Sequence, residues 1–129
     1  MVLDYDFISD ILTAFIESPS PIVSSERLIN QYPNDVQKLA HHLIIMAEKK
    51  LIIGASENRK IGIELDGDEY YFISMPLRLT SEGYDFSAAL NKPSILNVIK
   101  EKLQNEGISS VIEIAKKMTE KQLNNLLDD

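Results

Sequence analysis

Two adjacent histidines, a knot of carboxylates around one glycine and a band of cations in mid-chain are the residues whose types could do chemistry. His41 and His42 fall in a stretch of helical periodicity, so their side chains leave the axis about 100° apart and cannot grip one ion together. One is expected at the edge of the core and the other in solvent. Asp66-Gly67-Asp68-Glu69 concentrates negative charge, yet it lacks the ligand spacing and the closing glutamate of a calcium loop, and it reads as a solvated hairpin tip. Ser24, Ser25, Ser81, Ser109 and Ser110 are candidate nucleophiles by type only: none stands in Gly-x-Ser-x-Gly, and no histidine can be placed behind one. The acidic pairs Asp4/Asp6 and Asp128/Asp129 read as helix-end and tail charges. No glycine-rich phosphate loop occurs. The chain is therefore expected to bind rather than catalyse, with no metal and no cofactor.

Charge decides what it could bind. The net charge is −7 over 129 residues, and phosphate binding depends on Lys and Arg displacing condensed counterions, so a surface wholly given to nucleic acid is excluded. The charge is segregated, however. Lys38, Lys49, Lys50, Arg59 and Lys60 face only Glu48 and Glu57 between positions 38 and 60, a local +3, whereas Glu64, Asp66, Asp68 and Glu69 put −4 into six positions. Only the middle of the chain suits a phosphate.

The elements that must position these residues follow from periodicity. Phe7, Ile8, Ile11, Leu12, Phe15 and Ile16 recur at helical spacing between Asp4 and Glu17, and Ser18-Pro19-Ser20-Pro21 ends that helix because a residue before proline is pushed out of the helical region. Ile22-Val23 is expected as a short extended link. Ser24 or Ser25 caps a short second helix carrying Leu28 and Ile29 inward, and Pro33-Asn34 turns into a third, from about Asp35 to Lys49. Its buried stripe is Val36, Leu39, Ala40, Leu43, Met46 and Ala47, which leaves Lys38, His41, His42, Ile45 and Lys49 outward. Runs rich in β-branched and aromatic residues follow: Leu51-Ile-Ile53, Ile61-Gly-Ile-Glu-Leu65 and Tyr70-Tyr-Phe-Ile-Ser74, a small antiparallel sheet with Asp66-Gly67 at a hairpin. Thr80 or Ser81 caps a helix to about Leu90, docking Tyr84, Phe86 and Leu90. Ser94 caps another that ends near Gly107, read as a left-handed C-terminal glycine, and a last helix runs from about Ser109 to Leu127.

Three helices followed by a sheet hairpin is the order of a winged helix-turn-helix domain, whose third helix can enter a major groove. The expected class is α+β, with a winged helix-turn-helix over residues 1–80 and a helical extension over 81–129, packed on it as one unit or used for dimerisation. The segments Leu79-Thr-Ser-Glu-Gly-Tyr-Asp-Phe86 and Asn97-Val-Ile-Lys-Glu-Lys-Leu103, then Gly107 and the closing helix, carry a further signal. Over residues 77–127 the chain resembles the bacterial and phage-associated family catalogued as domain of unknown function 2513, which has a Leu-Thr-x-x-Gly-x-x-Phe stretch and a Lys-x-Lys-Leu helix. Thr80-Ser81-Glu82 departs from it, since an aromatic residue commonly follows the threonine there. The resemblance implies a winged helix with a helical extension, of phage or mobile-element type, and brings no activity, cofactor or catalytic residue with it.

Two binding modes follow. Gln37, Lys38, His41, His42 and Lys49 on the third helix, with Arg59 and Lys60 at the base of the wing, are the candidates for contact with double-stranded DNA, as in a transcription regulator. The alternative is an acidic protein-interaction module that modulates a host or defence protein, its surface the Asp66-Asp68-Glu69 hairpin with the first helix. Ile112, Met118, Leu123 and Leu126 extend the apolar stripe of the last helix beyond what one small domain needs, and a homodimer is expected through them. Without cysteine there is no disulfide or thiolate metal site. A start without a basic run, and apolar runs no longer than Leu43 to Ala47, lead us to expect a cytoplasmic protein with no membrane partner.

Overall fold

In the computed structural model, which describes residues 1–128, six helices surround a small antiparallel sheet, an α+β arrangement; Asp129, read above as a tail charge, lies outside the described residues. Helix α1 (Tyr5–Glu17) begins where the Asp4 carboxylate accepts the Phe7 N–H at 3.0 Å and ends at the extended Ser18 before Pro19. Its buried face is Tyr5, Phe7, Ile8, Ile11, Leu12 and Phe15. The three residues of β1 (Ile22–Ser24), expected only as a link, form a true edge strand. Ser24 then caps α2 (Ser25–Gln31), its hydroxyl accepting the Arg27 N–H at 3.1 Å.

Helix α3 (Val36–Glu48) closes with a Schellman turn in which the Leu51 N–H reaches the Met46 carbonyl and the Lys50 N–H reaches that of Ala47. Lys50 occupies the left-handed position, at φ 58°, that glycine usually takes. The chain then enters β2 (Ile52–Gly54). Strand β5 (Pro76–Leu79) lies between β1 and β2, with Val23 and Gly54 both opposite Leu77, so the sheet order is β1-β5-β2. Strands β3 (Ile63–Asp66) and β4 (Glu69–Phe72) form a separate two-stranded hairpin, inserted between β2 and β5, where the sequence suggested one continuous sheet. Gly67, at φ 67°, opens its two-residue turn, and Gly-first is the pattern of the mirror-image turn whose twist matches that of paired strands.

The last three helices are α4 (Ser81–Leu90), α5 (Pro93–Lys102) and α6 (Ile108–Leu127). Thr80 caps α4 by accepting the Gly83 N–H at 3.1 Å, and its hydroxyl donates to the Lys50 and Leu51 carbonyls, which ties the helix start to the α3–β2 corner. Gly83 permits that approach: a Cβ there would stand 2.1 Å from the Leu51 carbonyl oxygen. Phe86 and Leu90 dock as expected, but Tyr84 does not and is exposed. Gly107 also departs from expectation, since its backbone is extended at φ −67° and it serves as the N-cap of α6. Buried residues from α1 to α6, including Leu28, Leu43, Leu77, Ile99 and Val111, form one continuous hydrophobic cluster. Among the described residues no helix is long and apolar enough to cross a membrane.

Candidate interaction surfaces on the third helix and the hairpin

The sides of α3 are not free in the way a single buried stripe implies. Leu39, Ala40, Leu43 and Met46 point into the core, and two further elements close on the rest of the N-terminal half. One is the segment leading into α1. His42, expected outward, is fully buried: its Nε2 accepts the Asp4 N–H at 2.9 Å and its Nδ1 lies 2.8 Å from the Lys38 carbonyl. Because Nε2 must accept there, the proton sits on Nδ1, which donates to that carbonyl, and the ring is neutral. Burial pushes its pKa below the ordinary histidine range; the Lys38 carbonyl and the Asp4 carboxylate pull the other way, and His41 and Lys38 add to the lowering.

Lys38 is committed to the same cluster. Its ammonium lies 2.8 Å from the Asp4 carboxylate and 4.6 Å from the centre of the Phe7 ring. Burial alone would raise the Asp4 pKa, but Lys38 and the Phe7 N–H outweigh it and hold the carboxyl below its usual range. The Phe7 ring meets Tyr32 and His42 edge-on, at 5.1 Å in each case.

The hairpin is the other cover. Gln37 Nε2 donates to the Tyr70 carbonyl at 2.8 Å, Gln37 Oε1 accepts the Tyr70 N–H at 2.7 Å, and the His41 ring lies 6.4 Å from that of Tyr70. Ile63, Tyr70 and Phe72 share one face of the hairpin and are half-buried, whereas Tyr71 and Ile73 stand exposed on the opposite face with Glu64, Asp66 and Glu69.

Backbone alternation then distinguishes the two edges. Ile73 N–H donates to the Gly62 carbonyl at 2.7 Å, which makes 62 and 73 a hydrogen-bonded pair, and with them 64 and 71 and, at the turn, 66 and 69. Ile63, Leu65, Tyr70 and Phe72 therefore aim their N–H and C=O groups away from the partner strand. At Tyr70 the Gln37 amide fills the place of a neighbouring strand. On the β3 edge, among the described residues, the outward groups of Ile63 and Leu65 meet no protein partner.

Of the other candidate cations, Lys49 is exposed and bonded to the Ser109 hydroxyl, while Arg59 and Lys60 are exposed in a loop held by Asn58, whose side-chain oxygen accepts the Lys60 N–H at 3.0 Å. Arg59, at φ 62°, lines one depression with Lys60, Ala47 and Ile63, so the cationic loop lies beside the C-terminal end of α3. The structure thus gathers Lys49, Arg59 and Lys60 near one end of α3 and turns Gln37, Lys38 and His42 to internal tasks. Ile112 and Met118 are half-buried on α6, and Leu123 and Leu126 are exposed. What sequence reasoning missed is the β3 edge, because edge status follows from which strands fail to pair. Among the described residues no cluster of three or more His, Asp or Glu side chains is placed to hold a metal ion. A scan against protein-family models, a search of curated proteins and a search of solved structures each found no match.

Proposed function

We propose that the chain is a winged-helix protein that acts by binding another protein, adding an extended segment of that partner to the free edge of β3. The order of helices, the strand order β1-β5-β2 and a hairpin inserted before β5 support the winged-helix assignment. The observation that carries the binding mode is the asymmetry of the hairpin: the β4 edge is closed at Tyr70 by Gln37, and the β3 edge is open at Ile63 and Leu65. An open edge is a template for strand addition, in which main-chain hydrogen bonds give affinity and alternate side chains give specificity. Glu64, Asp66, Asp68 and Glu69 surround it, so the fitting segment is basic. Leu65, exposed on β3 itself, offers it apolar contact.

The test uses ¹⁵N-labelled protein and a defined probe, a short peptide of alternating lysine and valine. The amide signals of Ile63 and Leu65 should move most, and Leu65→Pro, which removes an outward N–H the fold does not use, should abolish the effect with the circular dichroism spectrum unchanged. Shifts confined to the Arg59-Lys60 loop, or none at all at millimolar peptide, would overturn the reading.

A second reading is favoured by one observation, the cationic loop beside the end of α3. In it Arg59, Lys60 and Lys49 contact the phosphates of double-stranded DNA without α3 entering the groove by its N-terminal half, where the hairpin lies. Fluorescence anisotropy on random duplex decides this. Binding that falls steeply with salt and disappears in Arg59→Glu/Lys60→Glu supports it, and no binding at low salt removes it.

A further inference from the structure

We infer that a second copy of the chain pairs with the first through α6, antiparallel about a two-fold axis near Thr119. The starting observation is a groove of about 400 Å³ between α4 and α6, floored by Phe86, Ala89, Ile112 and Ala115. The face of α6 that lines it does not stop where the body ends. Ile112, Ala115, Thr119, Leu123 and Leu126 recur at three- and four-residue spacing, hence on one side of the helix. Among the described residues, Gln122 is the last of α6 with a side-chain bond to the body, 3.0 Å to the Ser94 hydroxyl; beyond it Leu123, Leu126 and Leu127 are 49%, 70% and 80% exposed. One helix face therefore holds an apolar recess at its start and uncovered leucines at its end.

That arrangement is self-complementary. In an antiparallel pair centred on Thr119, Leu126 of one copy lies opposite Ile112 of the other and Leu123 opposite Ala115, so each copy's leucines meet the other's groove and both are satisfied by one isologous contact. Charge selects the same occupant. The chain as a whole is strongly acidic, yet α6 carries Lys116, Lys117 and Lys121 against Glu113 and Glu120; the groove is rimmed by Glu82, Asp85 and Glu120 against one lining cation, Lys116, which lies 3.3 Å from Glu82 and leaves Asp85 and Glu120 to set the sign of the rim. A second α6 brings basic character to an acidic rim, where most of this protein's surface would repel it.

Sedimentation equilibrium of the full chain across the micromolar range should give twice the 14.6 kDa chain mass. Leu123→Glu/Leu126→Glu, at exposed positions, should give a folded monomer, with an unchanged circular dichroism spectrum and a melting temperature that no longer depends on protein concentration. As the chain has no cysteine, single cysteines report the geometry: under copper phenanthroline Thr119→Cys should cross-link to itself, Leu126→Cys should not, and a mixture of Ile112→Cys and Leu126→Cys chains should link to each other. A monomer mass at every concentration, a dimer that survives Leu123→Glu/Leu126→Glu, or self-linking of Leu126→Cys would each overturn the proposal.

Discussion

The side-chain amide of Gln37 is bonded twice to the backbone of Tyr70, donating at 2.8 Å and accepting at 2.7 Å. A glutamine amide carries the same donor and acceptor pair as a peptide group, so one residue of α3 serves β4 as a neighbouring strand would. The contact fixes where the hairpin lies, and with it which part of α3 is covered and which hairpin edge is left open.

Gln37→Ala should loosen the hairpin without unfolding the body. Two part-buried hydrogen bonds are lost, a net change of about 1–3 kcal/mol at roughly 0.5–1.5 kcal/mol each, felt mainly by local opening of β3 and β4. Hydrogen exchange at the Tyr70 amide should accelerate while that at Leu43 stays slow. Gln37→Glu should be at least as disruptive, because it sets a carboxylate oxygen against the Tyr70 carbonyl. Unchanged protection at Tyr70 in both variants would contradict this role.

Acid should weaken the docking of the start of α1 through His42. His42 is neutral because both ring nitrogens are engaged, one accepting from Asp4 N–H and one donating to the Lys38 carbonyl; a second ring proton would point at the Asp4 N–H. The groups that face it are Asp4, Lys38 and His41, with the Phe7 ring edge-on. Its folded pKa lies below the unfolded one, so the unfolded chain binds the extra proton first and stability falls as pH drops through about 6.5, levelling off only below the folded value. Asp4, also lowered, adds a further loss at more acid pH. Urea midpoints measured between neutral and mildly acid pH should decline in the wild type and be flatter in His42→Gln. A flat wild-type profile over that window would refute the assignment.

How far the chain could be read from sequence depended on how local each signal was. The Ser24 and Thr80 caps and the stop at Pro19 are written in neighbouring residues, and the structure has all of them. β1 was passed over because three residues carry no periodicity of their own; their partners in β5 lie more than fifty residues away. The sides of α3 were misassigned at His42 and Gln37 for a related reason. Helical periodicity assumes one buried stripe, and here the lead-in to α1 and the hairpin close on two more sides. Gly107 and Tyr84 show the limit at single residues: a glycine between helices can start one as readily as end another, and an aromatic residue beside a buried phenylalanine can face water.

Tyr5→Phe should leave stability unchanged or raise it, by up to about 1 kcal/mol, because the Tyr5 hydroxyl is buried with no hydrogen-bond partner among the described residues and removing it abolishes a desolvated group. Burial also raises the pKa of this phenol, as expected for a hydroxyl held away from water. Chemical denaturation of the two proteins side by side measures the difference. A loss of more than about 1 kcal/mol would mean that the hydroxyl has a partner, such as an internal water.

Gly83→Ala should destabilise although it replaces the weaker helix former. Propensity alone would favour alanine by about 1 kcal/mol. The added Cβ, however, would sit 2.1 Å from the Leu51 carbonyl oxygen and 3.1 Å from its carbon, and neither is the end of a flexible side chain. Either α4 or the β2 corner must retreat, and the Thr80 hydroxyl, which bonds the Lys50 and Leu51 carbonyls across the same contact, retreats with it. Overpacking of this kind costs about 1–3 kcal/mol, enough to exceed the propensity gain. Gly107→Ser is the opposite case. Nothing lies within 4 Å of a Cβ at Gly107, its φ of −67° suits any residue, and a serine hydroxyl can cap the first turn of α6, so a gain of a few tenths of a kcal/mol is expected. Thermal melts of the two variants should therefore move in opposite directions, and a Gly83→Ala protein as stable as wild type would show that α4 does not need its close approach to Leu51.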